Sequence, residues 1–431
     1  MNAASAARRT VADFLSSAGF ASALATSSIG IGILALPVHN TIGWAGLIAG
    51  LGVLVVLCCL SLWARRETLD RTGLPPISLI LFVGWVGASV LWSHYRWVTI
   101  GSVAYLLAFS LLGVYIALVR DTIQVIRVFG DAIRFVLIVS LVLEVLSGLL
   151  IDSPIHFLGI AGNLDHGGPI SGLMANRNDL GLLAVIGATS FIIEWRTRSI
   201  PRGLAISSLV LAGLTLVLTR SSIAWGTAFV SILVLALLYL IRRVQPARQH
   251  YWQWTAAAVA VIGAIVTWTL RGPIIDALSA TGELSYRLRI WRELWTLVQV
   301  QPVEGWGWVG QWNTGVAPFV LFGSGTGRPS TSAVNAYLDV WFQLGIVGFA
   351  MFLGMIGLAF VRSWLLASRR RSVVYTWPVV VLAALLTASL AESGVLVEFG
   401  WMTLVICSVV ASQTLSWRVA LRRPLEQEPL E

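Results

Sequence analysis

The sequence predicts an all-α polytopic membrane protein with about twelve transmembrane helices and a large external loop. Apolar residues make up 57% of the 431 residues, and charged residues only 11%. Soluble domains average about 45–50% apolar and about 25% charged residues. The mean hydropathy is +0.83. This composition excludes a soluble globular fold, because so few charges cannot cover the surface, and it also excludes a disordered chain.

The individual spans follow from the apolar runs, since a helix needs about 20 mostly apolar residues to cross a bilayer. The predicted runs are 14–37, 42–64, 76–92, 98–119, 133–151, 178–195, 203–219, 222–241, 252–269, 336–361, 374–391 and 395–416.

The arginines predict the orientation of these spans. All 29 basic residues are arginine, and 21 of them lie in alternate connecting segments, which are expected to be cytoplasmic. The sequence therefore predicts a multi-pass protein of the cytoplasmic (inner or plasma) membrane with both termini inside. We divide it into a membrane bundle over 1–269, an extracytoplasmic loop over 270–335, and a second bundle with a short tail over 336–431.

Basic residues in the external loop indicate an anionic ligand. Five of the eight external arginines lie in this loop, and a lipid phosphate or diphosphate at the membrane surface would suit them. The alternative is that these arginines only keep the loop soluble. Residues 284–300 predict an amphipathic interfacial helix, with Arg289 on its polar side and Arg287 inside its apolar sector. A cation placed there is costly unless it is paired or snorkels, which makes Arg287 a functional candidate.

Further polar residues lie at the external ends of spans. Asn176, Arg177, Asn178 and Asp179 crowd the start of the sixth span, where free N–H groups suit an anion or a sugar hydroxyl, although simple helix capping by Asn178 or Asp179 is the alternative. Other candidates lie at turns or inside spans, with structural ion pairs as the alternative. They are Arg220, Asp339, Gln343, Glu392, Glu398 and Glu144.

Common cofactor motifs are not supported. Residues Gly305–Gly310 match G-x-G-x-x-G, but no strand-turn-helix context surrounds them, so a glycine turn with interfacial tryptophans is expected. The histidines lack zinc-ligand spacing, and Asp165–His166 is only a weak acid/base pair. We therefore expect no metal, no cofactor and no nucleic acid partner.

Several short motifs, taken in order, resemble the O-antigen ligase and O-antigen polymerase family of membrane glycosyltransferases. They are Gly172-Leu-Met-Ala-Asn-Arg-Asn-Asp-Leu-Gly181, Leu218-Thr-Arg-Ser-Ser-Ile-Ala-Trp225, Arg287-Leu-Arg-Ile-Trp291, Pro302-x-x-Gly305-x-Gly307, Asn335-Ala-Tyr-Leu-Asp339 with Gln343-Leu-Gly345, and Glu392-Ser393.

The resemblance implies transfer of a glycan from a polyprenyl-diphosphate carrier to an acceptor hydroxyl on a glycan or lipid. It implies that arginines hold the diphosphate; Arg287 matches the loop arginine well, and Arg220 matches the turn arginine less well. On this basis Arg287, Arg220, Asp339 and Glu392 are the predicted catalytic residues. The predicted substrate-binding residues are Asn176, Arg177, Asn178, Arg289 and Asn335.

One position departs from the family pattern. The family usually has a histidine before the asparagine of the Asn335 motif, as the proposed base for the acceptor hydroxyl, and this chain has Val334. Valine cannot accept a proton. Asp339, Glu392 or His166 would then do this work, or the reaction needs little base assistance. A non-catalytic relative that binds lipid-linked glycan is one alternative, and a polysaccharide or lipid transporter is another.

Overall fold

The computed structural model describes residues 10–67, 75–165, 167–270, 272–273, 282–322 and 330–414. This part of the chain is helical and contains no β-strand. Its main helices are α1 (Ala18–Ile33), α2 (Ala35–Ala64), α3 (Ile77–Ala88), α4 (Arg96–Val119), α5 (Thr122–Val145), α6 (Arg177–Thr197), α7 (Arg202–Thr219), α8 (Ser222–Arg243), α9 (Pro246–Thr269), α10 (Gly282–Val298), α11 (Ala336–Arg369), α12 (Thr376–Ala388) and α13 (Glu398–Thr414).

Each of the twelve predicted apolar runs coincides with a helix, and α10 is the helix predicted within the large loop. Within the described ranges, seven helices are long and apolar enough to cross a membrane: α2, α4, α5 with its extension to Ile151, α6, α7, α8 and α11. The apolar helices α1, α3, α12 and α13 are shorter. The predicted all-α polytopic membrane fold is therefore confirmed.

The centre of the bundle is built around α12 and α13, which are apolar on all sides. Helix α13 packs against α1, α4, α11 and α12. The Trp401 indole donates to Ser110 Oγ at 2.8 Å, and the Trp377 indole donates to Ser190 Oγ at 2.9 Å. Both tryptophans are fully buried. A helix that is hydrophobic all round belongs in a core, and its buried N–H groups need internal partners.

A buried ion pair fastens α5, α6 and α7 together. Arg134 donates to Glu194 Oε2 at 2.8 Å and to Ser208 Oγ at 2.7 Å. The third partner is Asp131, one turn away on α5, at 2.7 Å. Charges inside a membrane protein are costly unless they are paired, and here the pairing joins three spans.

Helix α11 is interrupted at Gly345, and the large loop is anchored at that break. Gly345 has φ +65°, a conformation that favours glycine. The interruption leaves the carbonyls of Phe342 and Gln343 to accept from Trp306 N at 3.1 Å and from Gly307 N at 2.8 Å. The break in α11 therefore supplies hydrogen bonds to the loop.

We expect Gly345→Ala to destabilise this anchor. A Cβ atom at Gly345 would clash with the Val303 carbonyl oxygen, and alanine is disfavoured at this φ. The free energy of unfolding should fall by more than about 1 kcal/mol, which would appear as a lower Tm in detergent. Gly354→Ala on the same helix is the matched control, because a Cβ atom there meets nothing within 4 Å. Equal Tm values for the two variants would contradict the proposed anchor.

Candidate active site at the loop end of the bundle

The polar candidates converge at one end of the bundle, which carries residues 152–165, 167–176, 299–322 and 330–335 and is called the loop end here. A cavity of about 320 Å³ lies there, between α1, α6 and the connection from α12 to α13. Its polar walls include three acids, two amides and several hydroxyls. They are Asn176, Asp179, Gln311, Thr331, Ser332, Ser389, Glu392, Ser393 and Glu398. Ile33, Leu36 and Phe399 supply part of an apolar wall. Such a cavity suits an amphipathic or polyhydroxylated ligand.

A chain of hydrogen bonds runs along the edge of this cavity and joins four separate segments. Ser221 Oγ donates to Asn178 Oδ1 at 2.7 Å, and Asn178 Nδ2 donates to Glu392 Oε1 at 2.6 Å. Arg287 Nη2 donates to the same Glu392 oxygen at 3.1 Å. The predicted residues Asn178, Arg287 and Glu392 are therefore brought into direct contact.

Arg287 lies on the buried face of α10. It falls on one stripe with Ile290, Leu294 and Val298, which are at most 3% exposed. Its Nη1 donates to the carbonyls of Val334, at 3.2 Å, and Ala391. The side chain is only 11% exposed and pairs with Glu392. Arg287 therefore lies within the apolar face of α10, as predicted. Its guanidinium donates hydrogen bonds to one carboxylate and two backbone carbonyls.

The start of α6 forms another wall of the cavity. Asn176 is the N-cap: its Oδ1 accepts from Asn178 N at 2.9 Å, and its Nδ2 donates to Asp179 Oδ2 at 3.0 Å. The preceding turn is held by the fully buried Glu144, whose Oε1 accepts from Ser171 N at 2.9 Å and Gly172 N at 2.8 Å. Capping thus explains Asn176 and at the same time orients Asp179.

Asp339 lies beneath the loop and does not line the cavity. It is fully buried, and its carboxylate accepts from the Trp312 indole at 2.7 Å, from Gln343 Nε2 at 2.8 Å and from Ala333 N at 3.2 Å. Gln343 in turn accepts from Val309 N at 2.8 Å. This arrangement holds the loop onto α11, which is a supporting role.

The other predicted residues surround the site without lining the cavity. Arg220 is exposed at the turn between α7 and α8, directly before Ser221. Arg177 is half-buried at the first position of α6, and Arg289 is half-buried on α10. Asn335 caps α11 by accepting from Tyr337 N at 3.0 Å and donates to the Leu390 carbonyl at 3.1 Å. His166 lies outside the described residues.

The large loop has its own hydrophobic core. Trp308 and Trp312 are at most 3% exposed, so the interfacial position expected for these two tryptophans is wrong. Tyr95 joins this core beside Phe319, and burial raises the pKa of its phenol. The glycines at 305, 307 and 310 all have positive φ, as expected of a glycine turn. The loop is therefore a packed element, which can hold Arg287 in a fixed position.

Sequence reasoning did not select two of the three carboxylates that line the cavity as site residues. Asp179 was visible only as one more polar residue at a helix start, and Glu398 only as an acid within the last span. Glu398 has φ +47° and accepts from Tyr105 Oη at 2.8 Å. Ser221 was likewise missed, since nothing in a Ser-Ser pair at a turn distinguishes a residue that binds Asn178.

Val334 adopts a conformation that valine disfavours. Its φ is +52°, in the left-handed region, where β-branched residues are outliers. It lies between Ala333, whose N–H bonds Asp339, and Asn335, the N-cap of α11. The surrounding hydrogen bonds hold this backbone in place.

We therefore expect Val334→Asn to raise the Tm. Asparagine tolerates the left-handed region, so removing the backbone strain should raise the free energy of unfolding by about 1 kcal/mol. The loss of valine packing offsets part of this gain. Val334→Ile, which keeps the β-branch, is the matched control and should give no rise. If the Tm of Val334→Asn is below that of Val334→Ile, the inference that the Val334 backbone is strained is wrong.

Together, these observations define a polytopic all-α membrane protein with a polar, arginine-edged cavity at one end of the bundle. The model of the O-antigen ligase family matches residues 206–353, which confirms the resemblance predicted from the sequence. The match includes Arg220, Arg287, Asn335 and Asp339, and it supports a membrane glycosyltransferase of the ligase or polymerase type. No curated protein matches the chain.

Proposed function

We propose that this protein transfers a glycan from a polyprenyl-diphosphate carrier to an acceptor hydroxyl on the outer side of the cytoplasmic membrane. The single observation that carries the proposal is that Arg287, within the segment that matches the family, is fixed at the edge of the polar cavity by Glu392. The loop end would then face outward and both termini inward, as the arginine distribution predicts. The activity belongs to cell-envelope polysaccharide assembly.

The donor and the acceptor would occupy different parts of the site. Guanidinium groups stabilise the charge that develops on a departing diphosphate, so Arg287, with Arg220, Arg177 and Arg289 around it, would form the diphosphate side. A phosphate oxygen would compete with Glu392 for Arg287. The acceptor glycan would lie in the cavity, where carboxylates and amides accept and donate hydrogen bonds to hydroxyls. Asp339 would hold the loop onto α11, and Asn335 would cap the start of that helix.

A second candidate is a binding protein without turnover. Val334, at the position of the family's usual histidine, is the observation that favours it. Both candidates predict binding of the carrier, and only the transferase predicts release of carrier diphosphate.

The test is a turnover assay on the purified full chain in lipid nanodiscs. The donor probe is the polyprenyl-diphosphate-linked glycan extracted from cells that lack this chain, and the acceptor is a lipid and glycan extract of the same cells. Release of carrier diphosphate that depends on the acceptor supports the transferase. Donor binding without any release supports the binding protein and overturns the proposed reaction.

A further inference from the structure

We propose that Asp179 is the general base for the acceptor hydroxyl. This inference rests on the proposed glycan transfer. The residue at the family's usual histidine position, Val334, cannot take a proton, so a base that assists this reaction comes from another residue of the cavity. Three carboxylates line that cavity, on Asp179, Glu392 and Glu398.

Asp179 is positioned for contact with a ligand in the cavity. It lies in the first turn of α6 and is partly exposed. Asn176 Nδ2 holds its Oδ2 at 3.0 Å. A Cβ atom at Gly394 would lie 3.3 Å from Oδ1, so the glycine at that position leaves room beside this oxygen. One carboxylate oxygen is therefore oriented by Asn176, and the residue as a whole lines the cavity beside Gly394.

The other two carboxylates are less suited to the role. Glu392 is paired with Arg287 at 3.1 Å and also accepts from Asn178 at 2.6 Å. A paired guanidinium lowers the proton affinity of a carboxylate. Glu398 already accepts from Tyr105 Oη on α4, at 2.8 Å. Asp179 has no arginine partner within the described residues, and it directly follows Asn178, which contacts the Arg287–Glu392 pair.

The proposed step balances as a single displacement. The acceptor oxygen attacks the anomeric carbon and forms the new glycosidic bond, while the bond from that carbon to the diphosphate oxygen breaks. The electron pair leaves with the diphosphate, and the arginines stabilise the negative charge that develops on it. The hydroxyl proton passes to the Asp179 carboxylate and later to water. Asp179 therefore acts on the acceptor, and Arg287 acts on the donor.

The experiment separates the two roles by measuring transfer and donor binding on the same variants. Asp179→Asn keeps the shape of the side chain and its bond to Asn176, and removes the base. We expect transfer to fall by ~10²–10⁴-fold, the usual contribution of general base catalysis. Binding of undecaprenyl diphosphate, the probe for the donor side, should stay within about twofold of wild type, because no donor contact is lost. Glu293→Gln, an exposed acid on α10, should leave both quantities unchanged.

A second variant tests the chemistry rather than the fold. In the Asp179→Asn background, Val334→His places an imidazole at the position of the family's base, and histidine tolerates this φ better than valine. Recovery of transfer by at least about tenfold supports the inference.

Three outcomes would overturn the proposal. The first is full transfer by Asp179→Asn, and the second is loss of transfer in Glu398→Gln while Asp179→Asn stays active. The third is the absence of transfer by the wild-type protein, which removes the proposed function together with its base. Only this third outcome removes the function itself.

Discussion

Replacing Arg287 by alanine is expected to slow glycan transfer by ~10²–10³-fold and to lower the Tm. The guanidinium holds Glu392 and two backbone carbonyls, and the side chain is 11% exposed. Removing it leaves a mostly buried carboxylate without its cation, and breaking a buried pair costs about 3–5 kcal/mol. Loss of a group that stabilises the leaving charge costs ~10²–10³-fold in rate. Turnover and thermal unfolding in detergent measure the two effects separately.

Arg292→Ala is the matched control for this prediction. Arg292 lies on the same helix, is exposed, and among the described residues donates only to the Leu288 carbonyl one turn away, at 3.3 Å. It should keep its stability and most of its activity. If Arg287→Ala and Arg292→Ala behave alike, the pairing with Glu392 has no functional importance.

Asp339→Ala is expected to produce the largest loss of stability. The substitution leaves the Trp312 indole, the Ala333 N–H and one Gln343 N–H without an acceptor. Each buried polar group left unpaired costs about 1–3 kcal/mol, so the loop should detach from α11. Limited proteolysis should then cut within residues 299–322, and the Tm should fall.

The control for Asp339 is Glu304→Ala, an exposed acid of the same loop. It should change neither the Tm nor the cleavage pattern. A stable, protease-resistant Asp339→Ala protein that has lost only transfer would assign Asp339 a direct part in the reaction.

The fold could be predicted because the apolar pattern that indicates a membrane span is local in the sequence. A run of about 20 apolar residues indicates a span whatever surrounds it, and each of the predicted runs is helical. The amphipathic helix α10 follows from its period in the same way. Trp308 and Trp312 were misplaced because a tryptophan near a predicted interface looks the same whether it contacts lipid or a protein core. The core around Phe342 forms only when distant segments meet.

The site was predictable only in part, for the same reason. Arg287 was identified because a cation inside an apolar sector is anomalous within its own helix. Asn178 and Glu392 were identified as external polar residues, but their contact joins positions 214 residues apart, which no local pattern encodes. Asp179 was noted at this helix start but not selected, because helix capping by Asn178 or Asp179 accounts for a polar residue there equally well. What distinguishes it is its position in the cavity wall beside Gly394 and the absence of an arginine partner in the described structure.

The bond between Asn178 and Glu392 also has a consequence for biosynthesis. The chain is made from its N-terminus, so α6, the turn at Ser221 and Arg287 are all synthesised before the turn that carries Glu392. The edge of the cavity therefore closes only when the last two helices are inserted. A nascent or truncated chain that ends before residue 392 lacks the partner of both Asn178 and Arg287. Arg287 in such an unfinished chain lacks the ion pair that fixes it at the edge of the cavity, so the candidate site is complete only after the last two helices have been made.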